Sequence, residues 1–186
     1  AGVVAKKIIS PVLVESEILS IGGENPWENI LNMAVENGDS LGGIVECRIN
    51  GLKVGIGDPF FDSVESKISH LAFSIPAIKG IEFGSGFAAA SMKGSEHNDS
   101  IIDSEGHTTT NNSGGISGGI SNGNPVVFRV AVKPTSSISL TQKTINLSTG
   151  NVDDLKIEGR HDSCIALRVP VVLESIAAIA IADLLS

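Results

Sequence analysis

The 186-residue chain is 41% hydrophobic and 18% charged, a balance that predicts one globular domain over residues 1–186 and excludes a disordered polymer. Its formal net charge of −8 and pI near 4.9 provide no basic field to gather nucleic acid or an anionic membrane. An anionic ligand must therefore be held by local Arg, Lys and backbone N–H groups. The two cysteines, Cys47 and Cys164, have neither CxxC spacing nor disulfide density, and His70, His97, His107 and His161 lack a second ligand at metal spacing. A reducing compartment and no metal are expected. No apolar run reaches about 18 residues without a charge, and no leader-type segment opens the chain, so a cytoplasmic protein without a membrane partner is expected.

In chain order, residues 1 to 9 read as the tail of a helix that Pro11 ends. Val12 to Ile21 alternates loosely as a strand. Pro26 suits a first helical position, the apolar spacing of Ile30, Leu31, Met33, Ala34 and Val35 carries a helix to Asn37, and Gly38 closes it. Leu41 to Ile49 is a second strand, followed by an Asn50-Gly51 turn. Asp62 or Ser63 can cap a helix whose apolar face is Val64, Ile68, Leu71 and Ala72. Ile78 to Phe83 is the next strand, and Ser91 to Thr110 reads as a polar surface excursion. A strand over the PVVFRVAV run leads into Lys133. Gln142 to Leu147 and Val152 to Ile157 are short strand or loop pieces, and from Pro170 a helix apolar on nearly every side demands cover. The elements alternate without a regular βα period, which predicts an α+β fold with mostly antiparallel sheets.

Two stretches carry candidate chemistry. From Asn111 to Ser137, two GGIS units supply glycines whose backbone can approach an anion, and Lys133, Pro134, Thr135, Ser136 and Ser137 add a charge and hydroxyl donors. A mobile Gly/Ser linker is the bland alternative, but a linker has no reason to feed a buried strand. Arg160, His161 and Asp162 form the densest reactive cluster. Arg160 is a planar fork for phosphate or carboxylate, and Asp162 is an acid or hydrogen-bond acceptor. Taken alone, an RHD tripeptide is more often a loop ion pair or cap. A metal-dependent phosphohydrolase built on His161 and Asp162 would need further ligands at helical spacing, which are missing. Trp27 reads as packing, Lys6 and Lys7 as a helix end, and His97 and His107 as solvated groups.

Four segments, SIPAIKGIEFGSGF (Ser74 to Phe87), NNSGGISGGISNG, VAVKPTSSI (Val130 to Ile138) and GRHDSCIALRVPVVLES (Gly159 to Ser175), resemble in order and spacing the C-terminal two-thirds of chorismate synthases. The resemblance implies helices layered between antiparallel sheets, a homotetramer, and a 1,4-elimination of phosphate from 5-enolpyruvylshikimate 3-phosphate that requires reduced FMN. It implies that Pro76, Ala77, Gly118, Lys133, Pro134, Thr135, Ser136, Ser137 and Arg160 hold the flavin. Asp162, by the same resemblance, lies by flavin N5 and tunes proton transfer. Ser163 stands where the family usually has proline. The family's histidine- and arginine-rich N-terminal third is expected to lie outside these residues, so a flavin- or phosphate-binding assembly fragment without activity of its own is the rival expectation.

Overall fold

The computed structural model describes residues 1–186. In order, it contains α1 (Gly2–Ile8), β1 (Leu13–Ile21), α2 (Glu28–Glu36), β2 (Gly43–Asn50), α3 (Val64–Ala72), β3 (Ile78–Phe83), α4 (Gly94–His97), β4 (Ile116–Ser117), β5 (Ile120–Ser121), β6 (Val126–Val132), β7 (Gln142–Ile145), β8 (Val152–Leu155) and α5 (Val169–Leu184). Short 3-10 turns cover Gly86–Ser91 and Ile165–Arg168.

Four strands form one antiparallel sheet in the order β1-β2-β6-β3. Period-2 alternation decides its faces: Val45, Cys47 and Ile49 of β2 and Val126, Phe128 and Val130 of β6 are fully buried on the inner side, and Phe83 pairs with Phe128 across strands at a ring separation of 5.6 Å. Onto this face pack α3 and α5, with α1 against α5. Leu173, Ala177, Ala180 and Ile181 form the buried side of α5. Burial also pushes the Cys47 thiol up to about 12, which marks it as an inert core residue. The outer sheet face carries a charged row in which Glu46, only 3% exposed, accepts from Arg129 Nε at 2.8 Å, and Arg129 also reaches Glu82 at 3.1 Å. Arg48 lies 2.5 Å from the other oxygen of Glu46 as a charge contact without an aligned hydrogen bond.

Most expected elements form, and the differences have local causes. Gly38 has the positive φ (71°) of a residue that closes α2, but Pro26 precedes the helix by two positions and Trp27 takes its N-cap. The Asn50-Gly51 turn does not make a hairpin, because β2 pairs with β1 and β6 and the chain leaves toward α3. Ser63 caps α3 by accepting from Ser66 N at 3.1 Å. Asp62 instead meets Lys67, which also bridges to Asp183 of α5, each at 2.9 Å. The Ser91 to Thr110 segment is tied down: Asp99 accepts from Thr110 Oγ1, Asn112 N and Ser113 N at 2.6–2.8 Å. The segment from Ile165 to Leu184 is long and apolar enough to cross a membrane, with mean hydropathy 2.0, yet one side of it is core. Its other side is not covered within this chain, since Val171 is 66% exposed and Val3 of the adjoining α1 is 72% exposed.

Glu174 is the polar exception on α5. Burial would raise its carboxyl, but hydrogen bonds from Lys6 and from Ser16 Oγ and N outweigh this and hold it below the usual carboxylate range. A carboxylate depressed by folding stabilises the native state above its unfolded pKa, about 4.3, and loses that contribution as pH falls through the folded value. Glu174→Gln should therefore lower stability at pH 7 by about 1–2 kcal/mol, with the difference in urea titrations shrinking as pH falls below about 4.3 and through the folded value. A pH-independent difference would show that size and packing, not charge, matter there.

Candidate functional site

Strand β6 leaves the core at Val132, and the next amide, Lys133 N, donates to Ala77 O at 2.9 Å. Ala77 is the only non-glycine residue with positive φ, 74°, a backbone strain of about 1–2 kcal/mol that the surrounding bonds sustain. The Pro76-Ala77 turn and the Lys133 run are thus joined. Further on, Ser40 Oγ donates to Thr135 O at 2.6 Å, Ser139 N to Gly38 O at 3.0 Å, and Leu41 N to Ser163 O at 2.8 Å. These bonds set the Lys133–Ser137 and Arg160–Ser163 loops side by side. Between them lies a cleft of about 150 Å³ lined by Asp39, Ser137, Ser139, His161, Asp162 and Ser163, among others.

Asp162 Oδ1 meets Arg168 Nη2 at 2.8 Å, so its partner comes from the turn that leads into α5 and not from the adjacent Arg160. Both side chains are substantially exposed, which limits the pair's stabilising effect. Its consequence is orientation of the carboxylate. Arg160 is exposed and enters no ion pair, and the Lys133 ammonium contacts only Pro134 O, at 3.3 Å. Thr135 Oγ1 is buried without a hydrogen-bond partner. Two uncommitted cations on adjoining loops, Lys133 and Arg160, are the charges this end of the sheet offers an anion, such as the phosphate of a flavin nucleotide. The cleft is too small to enclose a whole flavin, because drug-sized ligands occupy roughly 300–1,000 Å³.

Gly118 lies elsewhere. The second glycine pair turns the small β4–β5 hairpin, and this hairpin is pinned at the opposite end of the sheet. Val64 N at the start of α3 donates to Gly119 O at 3.0 Å, and Val127 N at the start of β6 donates to Gly114 O at 3.1 Å. The length of β6, roughly 20 Å, separates these contacts from Lys133. Gly114 and Gly115 do serve close approach, but to their own chain: a Cβ on Gly115 would run into the Pro125 carbonyl, and one on Gly114 into the backbone of Gly84. The structure joins the Pro76-Ala77 turn to Lys133 and sets Ser137 and Asp162 on one cleft, with Arg160 exposed on the same loop as Asp162, and leaves Gly118 outside that group. Asp39 and Ser40 escaped the sequence reading, since GDSLGG looked like a helix stop followed by a strand start. Their one signal was polarity, an Asp-Ser pair held between glycines at a junction where a plain turn would suffice.

A strained turn, a cationic loop and an acid-bearing loop meet at one end of the antiparallel sheet of an α+β domain. The family model described as chorismate synthase matches residues 2–185. Chorismate synthase of Chitinophaga pinensis is 60% identical over 98% of this chain and 55% of its own length. That of Korarchaeum cryptofilum is 44% identical, covering 98% of this chain and 59% of its own. A crystal structure of chorismate synthase superposes with a TM-score of 0.79 at 27% identity, over 99% of this chain and 60% of that one. The chain belongs to the chorismate synthase family, and it spans a little over half the length of these relatives.

The glycines supply a direct test. Gly118→Ala meets nothing within 4 Å but keeps a φ of +61°, so it should cost only about 1–2 kcal/mol. Gly115→Ala should cost several times more, as read by urea unfolding, because backbone must move. Equal costs would show that the Gly115 junction is not tightly packed.

Proposed function

We propose that this chain carries the flavin- and phosphate-holding part of a chorismate synthase, a carbon–oxygen lyase that removes phosphate from 5-enolpyruvylshikimate 3-phosphate by 1,4-elimination. The observation that carries this reading is the Lys133–Ser137 loop, with its uncommitted ammonium, held through Ser40 and Leu41 beside the loop that bears Arg160 and Asp162, with Ser137 and Asp162 lining one cleft. Reduced FMN, held by Lys133, Thr135 and Arg160, would supply an electron-rich ring. The chain's own groups then have distinct tasks. Lys133 and Arg160 offset the ligand's negative charge in a protein of net charge −8, Thr135 donates a directional hydrogen bond, and Ser136 and Ser137 extend the donor row. Asp162, aimed by Arg168, accepts or relays a proton at the flavin edge. Gly118 joins this reading only if a second copy, in a homotetramer, presents its hairpin to the cleft. A cytoplasmic enzyme taking a soluble phosphorylated acid is the matching setting.

A second reading, a binding fragment without turnover, is favoured by one observation. Of the four arginines, Arg129 and Arg48 are committed to Glu46 and Arg168 to Asp162, leaving Arg160 alone for a substrate with one phosphate and two carboxylates. Incubating the isolated chain with reduced FMN and substrate separates the two, since the binding fragment yields no chorismate while a complete enzyme does.

For the full-length enzyme, Asp162→Asn should lower kcat by about 10²–10⁴-fold and leave flavin and substrate affinity nearly unchanged, because an acid–base group acts in the transition state. Arg160→Ala should instead weaken binding, as it removes a contact made before reaction. Normal kcat with lost affinity in Asp162→Asn would make that residue a binding group and overturn the division of labour.

A further inference from the structure

Resting on the flavin-site reading above, we infer that Ser40, at the centre of the Gly38–Gly42 strap between α2 and β2, is a positioning residue that sets the flavin-holding loop against the acid-bearing loop. The two loops are far apart in sequence and share no strand. What joins them is this strap, through consecutive residues: Ser40 Oγ donates to Thr135 O at 2.6 Å and Leu41 N donates to Ser163 O at 2.8 Å. Gly38 O adds a third bond by accepting from Ser139 N at 3.0 Å. Ser40 is 8% exposed, and it is the only side chain of the strap bonded to either loop. Its own N–H is satisfied by Asp39 Oδ1 at 2.8 Å, which fixes the backbone from which the hydroxyl projects.

The strap also lies flat on the loop it holds. A Cβ at Gly42 would stand 2.5 Å from Val132 O and 3.1 Å from Pro134 Cδ, so only glycine permits this approach. The consequence for the site is geometric. With the Thr135 carbonyl held by Ser40, the Thr135 side chain is fixed in place, its Oγ1 buried and unpartnered. Because the next residue, Leu41, holds the carbonyl just after Asp162, a shift of Ser40 moves the donor and the acid relative to each other. Small displacements of this kind reduce binding and turnover without removing any group that touches the ligand.

The test uses the full-length enzyme, oxidised FMN as the probe, and flavin fluorescence quenching as a readout independent of activity. Ser40→Ala removes the donor, and Ser40→Cys keeps the volume but donates poorly. Both should weaken FMN binding roughly threefold to tenfold, the equivalent of one buried neutral hydrogen bond. Ser40→Thr retains the hydroxyl and should restore affinity to within twofold. With saturating flavin, the rise in KM should exceed the fall in kcat, and the melting temperature should not track the loss of affinity across the three variants. Wild-type affinity in both Ser40→Ala and Ser40→Cys overturns the inference alone, as does a Ser40→Thr enzyme as impaired as Ser40→Ala. A wild-type enzyme that quenches no FMN fluorescence overturns the flavin reading together with the inference.

Discussion

The double pairing of β6 is the constraint on which the rest of the molecule depends. This strand pairs from Phe128 to Val132 with β2 on one edge and β3 on the other, the β3 side carrying a register shift between Ile78 and Gly80, and Phe128 and Val130 anchor it in the core at zero exposure. A strand held on two edges and one face cannot slide, since a one-residue slip would send every buried side chain to the solvent face. Its two exits are therefore fixed points. One exit receives the glycine hairpin and the N-terminus of α3, while the other delivers Lys133 to the carbonyl of Ala77.

Local chemistry reported the elements well, because each is decided by short-range pattern. The alternation of Ile78 to Phe83 and Val126 to Val132, the Ser63 cap and the Gly38 stop all depend on neighbours a few positions away. Residue type alone singled out candidates for the site, as at Lys133, Thr135, Arg160 and Asp162. The site was not legible where the deciding fact is tertiary. The glycines of Asn111 to Gly123 and the Lys133 run are near in sequence, yet the rigid strand between them carries them to opposite ends of the sheet. Conversely, Asp39 and Ser40 are remote in sequence from Thr135 and Ser163 and become neighbours only because β2 and β6 pair.

The ion pairs show the same division. Arg160 is adjacent to Asp162 in sequence, but the carboxylate turns to Arg168, leaving the first arginine free. On the outer sheet face, Arg129 is directly opposite both Glu46 and Glu82 across its two strand neighbours, so this arginine is consumed by the fold. Strand register thus sorts the arginines of an acidic chain into those that hold the sheet together and those it leaves out of the sheet.

The β7–β8 hairpin occupies the chain between the two cleft loops, and it stands outside the core. Its eight strand residues are almost wholly exposed, including Ile145 and Val152 at more than half. Two strands without a packed face are marginal in water, so their amides should open and exchange with solvent at little cost compared with those of β6. The Arg160–Asp162 loop therefore inherits one mobile boundary and one firm one, the Leu41–Ser163 bond. Freedom in this part of the molecule is graded along the chain, rising from Ser163 back toward the hairpin, with Asp162 next to the fixed end.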